Sequence, residues 1–155
     1  MEFKVSGQVT IGRAESKCFF SSIHDNNNEL VTNSHFENTI LVLVTNRVCL
    51  SCLPKLEENL TAKYNRKKIQ YLIVLNSSPL ELKQWKHNII SILNGQRTFY
   101  HLYNNEDYRQ CNKALFKKLE NIINSPSPSY FVIDKENSKI DFYNYEAALS
   151  LMDGQ

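Results

Sequence analysis

The chain has 155 residues and a net charge of +2, from 18 Lys+Arg against 16 Asp+Glu. Hydrophobic residues at 42% and charged residues at 22% are ordinary for a globular protein. The length suits one domain, able to bury about two-thirds of its unfolded surface without a disulfide scaffold. The small charge, with no basic run longer than Arg66-Lys67-Lys68, argues against a dedicated nucleic-acid binder. Four cysteines are too few for a disulfide-dense framework. With only 4 glycines and abundant asparagine, many turns are expected to rest on Asn.

The longest aliphatic runs, Ile40 to Val44 and Leu72 to Leu75, fall far short of the ~20 apolar residues a spanning helix needs. Met1-Glu2-Phe3-Lys4-Val5-Ser6 shows no basic region followed by an apolar stretch. Two readings stay open: a cytoplasmic protein, or a chain from which a leader was removed.

In chain order, Phe3, Val5 and Val9 alternate with polar neighbours and predict a strand. Cys18 to Ile23 is a second candidate strand, closed by Asp25-Asn26-Asn27-Asn28. Together they suggest an N-terminal β-hairpin over residues 1–36, ahead of a core over 37–155 within a single domain. Thr39 to Thr45 is continuously apolar and β-branched, so it predicts a central strand covered on both faces. Ile69 to Leu75 repeats that pattern. Between them Leu53, Leu56, Leu60 and Tyr64 form one helical stripe, which completes a βαβ unit.

A second helix is signalled by Ser78 as N-cap, Pro79 at its first position and Glu81 two residues later, with Gly95 at its end. Thr98 to Tyr103 predicts a strand. A third helix carries Tyr108, Cys111, Leu115, Leu119 and Ile122 on one stripe, and Ser125-Pro126-Ser127-Pro128-Ser129 breaks it. Strands at Tyr130 to Ile133 and Lys139 to Phe142, a turn at Lys135 to Ser138 and a last helix at Glu146 to Met152 follow. The fold class is α/β, a mixed sheet flanked by helices.

Cys49-Leu50-Ser51-Cys52 directly follows the strongest strand and opens the first helix. A thiol there faces free backbone N–H groups and the positive end of the helix dipole, which favour thiolate over thiol. Cys52 is one turn on, within reach of a disulfide to Cys49. The roles that follow are attack by Cys49 on a substrate disulfide and release by Cys52. A zinc site wants four ligands, and neither a second Cys-x-x-Cys nor a paired histidine motif accompanies this one; His24, His35, His87 and His101 are scattered. An inert, packed pair is the other bland alternative. Cys111 reads as a packed structural thiol, Cys18 as undecided, and a Cys18–Cys111 disulfide stays open.

The Cys-x-x-Cys, the proline before the strand at Tyr130, Ile11 to Ala14 with Phe19-Phe20, Asp25 to Leu30, Ser34-His35-Phe36-Glu37, Trp85 and Phe131 to Lys135 together resemble the thioredoxin superfamily. Within it they look like the redoxin branch, which contains the TlpA/ResA-like thiol–disulfide oxidoreductases. The resemblance implies a thioredoxin-like fold, Cys49 as nucleophile, Cys52 as resolving thiol and Pro128 as a cis-proline. It also implies that the Ser127 backbone pairs with an extended substrate. The expected partners are a disulfide-bearing protein or peptide and an upstream thiol electron donor, with no bound cofactor, no metal and no nucleic acid. Reduction is expected over oxidation, by a monomer in the periplasm or another extracytoplasmic compartment, any membrane tether lying outside this chain.

Departures are visible. Val48 stands where family members usually have Trp, Leu50-Ser51 lacks their proline, and Leu43 replaces the buried carboxylate of thioredoxins proper. No proton acceptor for Cys52 is evident, Glu37 and Asp134 being the guesses. The alternative is a module binding a soft metal such as Cu(I) through Cys49 and Cys52. A peroxiredoxin reading ranks lower, because Val42 to Val48 lacks the Pro-x-x-x-Thr-x-x-Cys pattern.

Overall fold

A computed structural model describes residues 8–12, 14–31, 36, 39–75, 79–134 and 139–147. Its core is a sheet of six strands in the order β1-β6-β5-β2-β3-β4. These are β1 (Gln8–Gly12), β2 (Ile40–Val44), β3 (Ile69–Leu75), β4 (Phe99–Tyr103), β5 (Ser129–Asp134) and β6 (Lys139–Tyr143). β2, β3 and β4 run parallel, joined by helical crossovers, while β5 lies antiparallel to β2 and β6 to β5. The expected α/β class, a mixed sheet flanked by helices, is therefore present. The strand–Cys-x-x-Cys–helix order expected at the site is also present.

All five β2 residues are buried, as a strand without alternation requires. One face of the sheet packs Leu41, Leu43, Phe131 and Phe142 with Phe19, Phe20, Leu115 and Leu119. On the other, Val42, Val44, Tyr71 and Ile73 meet Leu53, Leu56, Leu60 and Ile89. That second layer consists of α2 (Leu53–Thr61) and α3 (Pro79–Leu93); the first holds α1 (Lys17–Phe20), α4 (Glu106–Cys111), α5 (Lys113–Lys118) and α6 (Glu120–Ile123).

The structure corrects the N-terminal hairpin. β1 pairs with β6, Gln8 opposite Tyr143 through Gly12 opposite Lys139. Residues 17–20 are helical, because Phe19, Phe20 and Ile23 bury one helical face and the Ser21 and Ser22 hydroxyls donate to the Cys18 carbonyl. Short apolar runs do not discriminate strand from helix. The third helix is divided at Asn112 and Leu119, whose φ values are −103° and −96°. Asn112 Nδ2 donates to the Tyr108 carbonyl at 2.9 Å, competing with the helical ladder at that point. α3 ends on Asn94 (φ 57°), not Gly95: Asn94 takes the left-handed position and the Gly95 N–H reaches the Ile90 carbonyl at 3.1 Å. Asn28 (φ 61°) does the same in the loop before Leu30, so the positive-φ turns rest on Asn.

Cys111, expected to be packed, is exposed and joined by a disulfide to Cys18, with Cα atoms 6.0 Å apart. The bond ties α1 to α4 across 93 residues. The first part of the predicted N-terminal strand (Phe3, Val5), the Ser78 cap, the turn at Lys135 to Ser138 and the last helix beyond residue 147 lie outside the described residues. Among the described residues no helix is long and apolar enough to cross a membrane.

Candidate active site

β2 is the strand at which the sheet changes sense, parallel to β3 on one side and antiparallel to β5 on the other. Chains leaving the carboxyl end of such a strand diverge from their neighbours and leave a crevice. The cysteine pair sits there. After Val44 the chain turns through Thr45, whose carbonyl accepts from the Val48 N–H at 3.2 Å. Cys49 is extended (φ −70°, ψ 105°) and precedes a single 3-10 turn, Leu50–Cys52, that runs directly into α2. The Cys52 N–H closes that turn on the Cys49 carbonyl at 3.1 Å. Pro54 lies in the first turn of α2, where a missing N–H costs nothing.

Both cysteines are free and partly exposed, but their acidities diverge. The Cys49 thiol is held below its ordinary value, first by a hydrogen bond from the Cys52 side chain and then by one from Ser51. Ser51 Oγ lies 3.0 Å from Cys49 Sγ and donates to it once the sulfur is ionised. Cys52 is pushed up, first by the same Cys49 interaction and then by burial. The contact thus favours the ionised form of Cys49 and the protonated form of Cys52.

The Ser-Pro segment meets the pair through an unexpected residue. The Cys49 N–H donates to the Pro126 carbonyl at 2.7 Å. Ser127 is half-buried, its N–H donating to Ser125 Oγ at 3.2 Å, and Pro128 is buried. The loop is therefore beside Cys49, but neither Ser127 nor Pro128 makes the hydrogen bond to it. All peptide bonds among the described residues are trans. This corrects the expected cis-proline at Pro128. Trans is the lower-energy isomer by about 0.5–1 kcal/mol, and the loop reaches Cys49 through Pro126 without the cis form.

Three neighbours escaped the sequence reading. Ser51 carried a usable signal, a hydroxyl between two cysteines; Pro126 was visible only as part of a loop-breaking run. Tyr145 carried none. Its phenol is pushed up by burial and then by the charges of Cys52 and Cys49. Of the guessed proton acceptors for Cys52, Glu37 and the Asp134 side chain lie outside the described residues. Arg47 is exposed in the turn before Cys49. As a metal site the pair offers two soft sulfurs; among the described residues no group of three or more His, Cys, Asp or Glu gathers to hold an ion.

Neither a family model nor a curated protein matches the chain. Among solved structures it is similar to a secreted Mycobacterium tuberculosis disulfide oxidoreductase homologous to E. coli DsbE, at 9% identity, 90% of this chain, 98% of that one and a TM-score of 0.44. The exposed lipoprotein thioredoxin of Streptococcus pneumoniae is similar at 16% identity, 86% and 98% coverage and a TM-score of 0.44. For the mitochondrial 2-cys peroxiredoxin of Plasmodium falciparum the values are 18%, 86% and 87%, and 0.43. The chemistry of the site follows from the geometry of this chain's own residues.

Proposed function

We propose that the protein is a thiol–disulfide oxidoreductase that reduces disulfides of protein or peptide substrates. The observation that carries this reading is the split in acidity between two adjacent free thiols at the end of the central strand. The Cys49 thiolate attacks one sulfur of a substrate disulfide, forming a mixed disulfide and releasing the other as a thiolate that takes up a proton. Cys52 then loses its proton and attacks Cys49 Sγ. The mixed bond breaks, the second substrate thiol leaves, and Cys49–Cys52 becomes the disulfide. Two electrons and two protons have passed to the substrate, and an upstream dithiol donor restores the pair.

The substrate strand is taken to lie along Ser127 and Pro128, where the Ser127 N–H exchanges Ser125 Oγ for a substrate carbonyl. The protein acts as a monomer in an oxidising compartment. The Cys18–Cys111 disulfide supports that location, since such bonds are rare where thiols are kept reduced.

The test is trapping. Cys52→Ala should accumulate mixed disulfides with oxidised peptide substrates through Cys49, and Cys49→Ala should accumulate none. Mild oxidation of the native protein should yield a Cys49–Cys52 bond by mass spectrometry. Absence of that bond, with both thiols inert to alkylation, would sink the reading.

A further inference from the structure

On the face of the sheet opposite α2, a cavity of about 410 Å³ opens beside the turn that precedes Cys49. Its floor is apolar, built from Leu43, Val74, Phe116 and Phe142. Its mouth is polar, and among the described residues Arg47 and Arg109 line it and no carboxylate does. The Arg47 side chain has no hydrogen-bond or ion-pair partner among the described residues. Arg109 is oriented, because its Nη1 donates to the Asn104 carbonyl at 2.5 Å and the Asn104 N–H is fixed to the Leu75 carbonyl at 2.7 Å.

We propose that this cavity binds a small apolar carboxylate. The volume is at the small end for ligand sites and fits one aromatic or branched aliphatic body. The two guanidiniums take the carboxylate in charge-assisted hydrogen bonds. The apolar body covers the floor. A free acylated amino acid and the C-terminal residue of a polypeptide share this chemistry. Both lips of the cavity lead to Cys49, one through Asn46 and Arg47, the other from Asn124 to Pro126. The site stands on its own residues and does not depend on the redox reading.

The probe is N-acetyltryptophan, titrated calorimetrically into the full chain with its Cys18–Cys111 bond intact. Saturable binding at one site is expected. N-acetyltryptophanamide, which lacks the charge, and N-acetylglycine, which lacks the apolar body, should each bind at least about tenfold more weakly. The Arg47→Gln/Arg109→Gln variant, checked by circular dichroism to be folded, should lose at least about tenfold in affinity. Cys49→Ser/Cys52→Ser should bind as the native chain does, so failure of the redox reading leaves this result untouched. An acetylated tetrapeptide ending in tryptophan assigns the source. Binding equal to N-acetyltryptophan means a polypeptide end, and loss of binding means a free acid. Equal affinity for the amide, no response to the arginine substitutions, or no saturable binding at all overturns the proposal.

Discussion

Cys49 and Cys52 share one turn of chain and yet behave as different acids, because each is the other's largest neighbour. The Cys52 thiol donates to the Cys49 sulfur, which lowers Cys49 and raises Cys52 by the same contact. Ser51 adds a second donor at 3.0 Å to Cys49. A thiolate stabilised by two side-chain donors needs neither the aromatic that is absent at Val48 nor an adjacent cation. The order of effects is open to measurement. The midpoint of Cys49 alkylation against pH should move up in Ser51→Ala and further up in Cys52→Ala, since the Cys52 contact is the larger. At neutral pH the Ser51→Ala protein should alkylate a few-fold more slowly, as loss of one hydrogen bond to a charged but exposed atom allows. A Ser51→Ala profile superimposed on that of the native protein would show the hydroxyl to be a bystander.

At the scale of elements, α2, which follows the pair, is tied to the sheet by an ion-pair network. Glu57 of α2 is buried, and the Arg97 Nη2 and Nε donate to its two carboxylate oxygens at 2.6 and 2.9 Å. The Tyr71 hydroxyl of β3 donates to the same carboxylate, and Arg66 lies 3.6 Å away at the exposed edge. Burial alone would raise the Glu57 carboxyl; Arg97 and Tyr71 outweigh it and hold the group below its ordinary value. Removing one partner from such a network leaves a buried charge uncompensated. Arg97→Met should therefore cost about 3 kcal/mol in urea unfolding, and adding Glu57→Gln should recover part of that loss. If the double variant is no more stable than Arg97→Met, the network contributes shape and not charge.

None of this network was legible beforehand, because Glu57 sits on α2 among lysines and glutamates and its partners come from β3 and from the loop before β4. What was legible had a period or a cap. β2 and β3 were written in unbroken β-branched runs, α2 in its leucine stripe, and the thiol pair in a Cys-x-x-Cys between them. α1 was misread because six apolar and small residues suit either period. The disulfide partner of Cys18 lay 93 positions away, and no local pattern encodes such a distance. The contact of Pro126 with Cys49 was hidden for the same reason: two identical Ser-Pro steps carry no mark of which one turns its carbonyl inward.

The whole molecule is a sheet with its last parallel strand at an edge, and the way that edge is closed sets how the fold responds to acid. β4 would expose an unpaired ladder, but the His24 N–H and carbonyl bridge those of His101 at 2.8 and 2.9 Å and cap it. Their imidazoles stack, centroids 5.4 Å apart at 16°, with Tyr103 against their edges and Asn28 Oδ1 3.2 Å from His101 Nε2. The His101 ring is buried and is pushed down to about 4, first by burial, then by His24 and Lys86, with Asp25 opposing. Above about pH 6.5 the ring is neutral in both native and unfolded chains. As the pH falls from there towards 4, the unfolded chain takes up a proton that the native ring refuses, so stability falls with it. The depressed Glu57 carboxyl acts in the same direction, its stabilisation being present above the ordinary carboxylate range and lost as the pH falls through its lowered value. The melting temperature should therefore decline between pH 6.5 and 4. His101→Gln, whatever its absolute stability, should flatten that decline, because a side chain that does not titrate cannot couple folding to protons. An unchanged slope in His101→Gln would assign the acid sensitivity to other groups and leave the stacked pair a purely structural closure of the sheet edge.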